Sequence, residues 1–148
     1  MLKATNYWLL MAAAGSFLAA LAHLGCIVFG GDWYRFFGAG EQMALMAEAG
    51  HWQPAVVTSG IVLVLLIWSA YALSGAGVIR RLPLLRTGLL LIGAVLLMRG
   101  LGFVVLMPQF PDNSLMFWLV SSGICLVLAA GYLVGLKLQW PTLKVHQA

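Results

Sequence analysis

Four long stretches of this chain carry almost no charge, and its polar residues gather between them. Positions 7–29 hold His23 but no Asp, Glu, Lys or Arg; 55–73 and 114–136 hold none of these either; 84–107 carries Arg86 near its start and Arg99 deep inside. Each run is close to the ~20 apolar residues a helix needs to cross the hydrocarbon layer. The pattern predicts an all-α integral membrane four-helix bundle, one domain over residues 1–148. Pro83 stands just before the third run, and Asn113 or Ser114 suits the N-cap of the fourth. The links at 74–83 and 108–113 are short hairpin connections. Only the first, 30–54, is long, and it is too small to fold alone. Within it, 41–49 uses strong helix formers and stops at Gly50, which predicts a short amphipathic helix at the membrane interface. Glu41 and Glu48, seven apart, share one face of it, and Met43, Met46 and Ala47 another.

Composition agrees with the pattern. Of 148 residues 63% are hydrophobic and only 8% charged, against about 25% charged in a soluble domain. That excludes a soluble enzyme, a disordered chain and a disulfide scaffold. The formal charge of +4 would suit nucleic acid, but its distribution says otherwise. Lys3, Arg80, Arg81, Arg86, Lys137 and Lys144 fall on the N-terminus, the second link and the C-terminus, whereas Asp32, Arg35, Glu41, Glu48 and Asp112 fall on the first and third links. Lysine and arginine favour the cytoplasmic side, so both termini are expected there and the 30–54 loop in the periplasm. Trp33, Trp52 and Trp118 mark the outer interface, Trp8 and Trp140 the inner. The basic balance is thus a topology signal, and no nucleic-acid partner is expected. Lys3, an apolar run and Ala20-Leu21-Ala22 resemble a cleavable signal peptide. The run continues through Phe29, however, so the first span is expected to be retained.

The stretch from His23-Leu24-Gly25-Cys26 through Gly30-Gly31-Asp32-Trp33-Tyr34-Arg35-Phe36-Phe37-Gly38-Ala39-Gly40-Glu41 resembles the signature segment of a family of short four-span bacterial inner-membrane proteins of uncharacterised activity. Tyr71-Ala72-Leu73-Ser74-Gly75-Ala76-Gly77 and Arg80-Arg81-Leu82-Pro83 fit the same resemblance. It covers most of the chain and implies the architecture and a bacterial inner membrane, but no reaction.

Arg99 is the charge that topology leaves unexplained. A cation at mid-bilayer costs roughly 2.5–3.5 kcal/mol on insertion scales and usually faces protein or water. Counted at 1.5 Å per residue, Arg99 lies about 23 Å into the third span and His23 about 24 Å into the first, so both reach the outer third beneath the long loop. His23 continues a small-residue stripe of Ala12, Gly15, Ala19 and Cys26, and Arg99 shares its face with Gly88 and Gly102, so both are expected to point inward. In one reading they meet there with Tyr34 and Glu41: Arg99 holds a phosphate or carboxylate, His23 donates or exchanges a proton, and Tyr34 and Glu41 close the site over a lipid-headgroup or quinone-like ligand. In the simpler reading Arg99 snorkels to the interface or pairs with Glu41 or Asp32, His23 makes an interhelical hydrogen bond, and Glu41 complements a helix N-terminus.

Other chemistries have less support. Cys26 and Cys125 are expected at different depths, too far apart for a disulfide. A His23–His51 haem pair, or a metal held by His23, Glu41 and His51, lacks ligand-spaced motifs, so no cofactor is expected. Proton-coupled transport would place an acid in a span, and none is there. Gly131 and Gly135 form a GxxxG that suits either dimerisation or packing within the bundle, and Ser121 and Ser122 suit helix-to-helix hydrogen bonding. The expected function is therefore a non-enzymatic binding or accessory protein for a lipid-like or anionic amphipathic ligand, its partners membrane lipid and a further copy or a larger membrane complex. The alternatives are a small membrane enzyme with His23 as acid/base and Arg99 as anion holder, or an oligomeric transporter or channel.

Overall fold

Local sequence signals decide where each helix begins and stops. The computed structural model describes residues 5–144. Lys3, the Lys144 side chain and the tail at 145–148 lie outside the described residues. Asn6 opens α1 (Tyr7–Phe29): its side-chain oxygen accepts from the Leu9 N–H at 3.2 Å while its amide donates to the Gly135 carbonyl at 2.8 Å. Gly30, at φ +78°, then turns the chain into α2 (Gly31–Phe36). The short helix α3 (Glu41–Glu48) ends where its sequence predicts: Gly50 sits at φ +77°, its N–H bonds the Ala47 carbonyl, and the His51 N–H reaches Met46, a pattern that satisfies the open carbonyls of a helix end.

Three helices are long and apolar enough to cross a membrane: α1, α4 (Gln53–Gly75) and α7 (Leu115–Lys144). The third expected span is broken. It runs as α5 (Leu85–Leu101), then turns by 64° into α6 (Phe103–Leu106) and a 3-10 turn at Met107–Gln109. Counting the bent pair as one gives a fourth candidate. Gly102 marks the break, and Pro108, six residues on, stops α6. Gly102 closes the last α5 hydrogen bond, to Met98 at 2.7 Å, and Pro108 has no N–H to offer a continued helix. At its far end α7 runs past the expected 136 to Lys144, through Pro141. Ser114 caps the start of α7, its Oγ accepting from the Phe117 N–H at 3.1 Å, and Asn113 donates instead to the Gly38 carbonyl at 3.0 Å.

The helices pack as two antiparallel pairs, α1 on α4 and α5 on α7, joined mainly where α1 meets α7. Gly131 and Gly135 serve that junction: Gly131 stands against Trp8 and Ala12, and Gly135 against Leu9. The GxxxG therefore packs within the bundle. The interior combines small residues, leucines and hydroxyls. Ser16 and Tyr132 share a hydrogen bond of 2.7 Å between α1 and α7, and Ser69 of α4 donates to the Ala13 carbonyl at 2.9 Å. The exterior carries Phe17, Leu18, Leu21 and Val28 on α1 and Leu63, Val64 and Ile67 on α4, all exposed. Large apolar residues outward and hydroxyls inward suit a lipid surround, because lipid leaves Ser and Tyr only protein partners.

Candidate functional site

The 30–52 segment folds back over one end of α1 and α4 and builds a recess there. Trp33 of α2 lies over Gly25, where a side chain would collide with the ring, and it stacks on Phe29 at 4.6 Å. That contact turns α2 so that Tyr34 points into the bundle, 3% exposed, where Thr58 of α4 donates to its phenol oxygen at 3.1 Å. Ala44, fully buried, seats α3 beside Tyr34 and Cys26. Between these elements lies a cleft of about 400 Å³, lined by His23, Tyr34, Phe37, Met43, Thr58 and Ile61 among others, with Phe110 contributing from the α6–α7 link.

His23 and Tyr34 thus share one cleft. The His23 Nδ1 is 2.7 Å from the Ala19 carbonyl one turn earlier, so Nδ1 carries the proton and donates. Nε2 makes no hydrogen bond among the described residues and is left to accept. Its ring stands 6.3 Å from Phe37. Because Thr58 donates to Tyr34, the phenol proton also remains available. Among the cleft's polar side chains, His23 thus keeps an acceptor and Tyr34 a donor to spare, while Thr58 already donates to Tyr34 and Cys26 to backbone carbonyls.

Glu41 is engaged elsewhere. It opens α3 and is gripped by Arg35 through two bonds of 2.8 Å, while the same guanidinium also takes Glu48 through both its oxygens and Asp32 at 3.3 Å. The Arg35 hydrogen bonds hold the Glu41 and Glu48 carboxyls below the usual range and push the guanidinium's own pKa up. This cluster clamps α2 to α3 at a half-exposed surface, where single ion pairs contribute little and a network more. Arg35 at its centre is the residue that sequence reasoning left out. Its spacing from Glu41 and Glu48 matches no single-helix rule, because the pairing depends on α2 folding back along α3.

Arg99 joins neither group. It occupies the last turn of α5, against α7, with Nη1 and Nη2 each 3.4 Å from a hydroxyl (Ser122 and Ser121) and the guanidinium carbon 5.3 Å from the Trp118 ring centre. It lines a separate groove with Val95, Met98, Gly102, Val105 and Leu106. No residue lines both the groove and the cleft. His51 lies at the exposed C-terminal edge of α3 and does not line the cleft. Both cysteines are free thiols.

The opposite end of the bundle gathers basic residues. Arg81 donates to the Leu143 carbonyl at 2.7 Å, and Arg86 lies over the Trp140 ring at 3.6 Å. Together they tie the last turns of α7 to the α4–α5 link and the first turn of α5. No protein-family model, curated protein or solved structure matches this chain.

Proposed function

We propose that the chain is a four-span bacterial inner-membrane protein, a member of the short four-span family its first loop resembles, with both termini cytoplasmic. Its function in this reading is binding, without catalysis, of a neutral amphipathic molecule in the His23–Tyr34 cleft. Arg80, Arg81, Arg86 and Lys137 at one end against Asp32, Glu41, Glu48 and Asp112 at the other support the orientation. A reporter fused after Gln42 should accordingly read as periplasmic, and a cytoplasmic signal would reverse the topology.

One observation carries the binding role. The cleft's walls are mainly apolar, and of its polar side chains His23 keeps an acceptor and Tyr34 a donor to spare, while Thr58 and Cys26 already donate within the protein, which is the usual arrangement of a small-ligand site. A head group with a carbonyl or hydroxyl, on a ring or chain long enough to use the apolar walls, satisfies both. Of the two ligand classes that the residues suggest, the lipid-like one suits the cleft better than the anionic one. No Lys or Arg lines the cleft, and Arg35 of the same cap is outnumbered by the carboxylates it holds. A catalytic reading with His23 as acid/base would need Arg99 beside it, and Arg99 lines the other groove.

Extraction in a mild detergent followed by native mass spectrometry tests the assignment. The wild-type chain should retain one neutral lipid-like or quinone-like mass per protein. Ala39 also lines the cleft, so Ala39→Trp, which fills it, should abolish retention, and His23→Ala should weaken it. Equal retention in all three would overturn the site.

A further inference from the structure

Arg99 stands three residues before the 64° turn at Gly102. The 17 residues of α5 extend about 25 Å, near the ~30 Å thickness of the hydrocarbon core. The turn therefore falls where this helix approaches the membrane surface, with Arg99 about 21 Å along it. Exposed Val104 and Val105 on α6 continue sideways from that point. Arg99 thus sits in the outer third of the layer, where its long side chain can reach toward the headgroups, and it is held against α7.

Its own chain does little for its charge. A guanidinium has five N–H donors, and Arg99 uses two of them, both at the long distance of 3.4 Å and both on neutral hydroxyls. No acidic side chain pairs with it among the described residues; the ion pairs there all belong to Arg35. The C-terminal end of α5 supplies only about half an elementary charge of compensation. Beside this cation runs a groove of about 350 Å³ walled by Val95, Met98, Val105 and Leu106, three of them exposed on the outer surface of α5 and α6.

An open apolar groove beside a poorly matched cation, within a side chain's reach of the headgroups, suits an acyl chain ending on a phosphate. We propose that this groove binds one phospholipid, with its phosphodiester on Arg99 and an acyl chain along Val95, Met98, Val105 and Leu106. Free phosphate would use the guanidinium but none of those walls. The site is independent of the cleft at His23.

The test uses the full chain in mild detergent, titrated by native mass spectrometry with phosphatidylglycerol, with diacylglycerol of the same chains, and with inorganic phosphate as competitor. Phosphatidylglycerol should form a one-to-one adduct at concentrations where diacylglycerol does not, and millimolar phosphate should not displace it. Arg99→Gln should weaken the adduct about tenfold, the order expected for losing one charge-assisted hydrogen bond. Val105→Trp, a surface change that obstructs the groove and spares the cation, should weaken it too, and this keeps the test decisive if Arg99→Gln misfolds. Lys137→Gln, which removes an exposed cation at the other end, should leave it intact. Equal binding of diacylglycerol, full displacement by phosphate, or wild-type adducts in Val105→Trp would each overturn the proposal.

Discussion

Arg35 and Arg99 are the two arginines away from the basic end of the bundle, and the structure treats them in opposite ways. Arg35 meets three carboxylates in a half-exposed cluster and is consumed in holding α2 to α3. Arg99 meets two distant hydroxyls and a tryptophan face beside an open apolar groove. The first arginine is an internal fastener that shapes the His23 cleft without entering it. The second has charge and donors to spare, which is what an external ligand requires. A cation's partners, more than its depth in the sequence, separate the structural role from the binding one.

Reversing the fastener should break the comparison most severely. Arg35→Glu would set four carboxylates against one another where one cation now holds three. The expected result is release of α3 from α2, loss of the cleft ligand, and proteolytic cutting within 30–52. The Arg99 groove, built on α5 and α7, should still bind phospholipid. Resistance of that loop to protease at the wild-type level would show that Trp33 on Gly25 and buried Ala44, rather than the charges, hold the cap.

Acid is the milder way to attack the same cluster. Glu41 and Glu48 have lowered pKa values because Arg35 bonds their charged forms. Their stabilising contribution is therefore complete above the ordinary glutamate range near 4.3, and it is lost as pH falls through the lowered values. Amide protection factors in α3, corrected for the intrinsic pH dependence of exchange, should stay flat from pH 8 to 5 and fall only below that range. High salt should weaken the cap at every pH, since the pairs are exposed. An opening centred near pH 6.5 would assign the control to a histidine instead.

Hydropathy makes the long helices legible, because it is an average over many residues. The runs 7–29 and 55–73 correspond to α1 (Tyr7–Phe29) and α4 (Gln53–Gly75) to within two residues at either end. The same average hides what single residues do. It passes over Gly102, where the third run breaks, and it ends the fourth at 136, although Arg81 and Arg86 hold α7 in place for two further turns. The glycine pair at 30–31 suggests a turn, yet only Gly30 takes the positive φ, and Gly31 begins α2. Within the site, depth arithmetic sets His23 and Arg99 at one level. Depth says nothing about neighbours: α1 lies mainly on α4, and α5 on α7. His23 therefore shares its cleft with Tyr34, while Arg99 lines a groove of its own. That division depends on how the two helix pairs associate, which no helical period records.

The smallest expected effect separates a hydroxyl that supports the fold from one that serves a ligand. Thr58 and Tyr34 share a buried hydrogen bond of 3.1 Å between α4 and α2, shorter and better enclosed than the Ser121 and Ser122 contacts of Arg99. Interhelical hydrogen bonds in membrane proteins average about 0.6 kcal/mol and reach about 1.7. Thr58→Val keeps the shape and should cost about that average, and Tyr34→Phe should cost a similar amount. In a double-mutant cycle the two losses should not add, because each removes the same bond. Ligand retention should divide the pair. Thr58→Val leaves the Tyr34 hydroxyl in the cleft and should retain the ligand, whereas Tyr34→Phe removes the donor and should lose it. Equal retention in both variants would make the Tyr34 hydroxyl a purely structural group and leave the ligand's polar contact to His23.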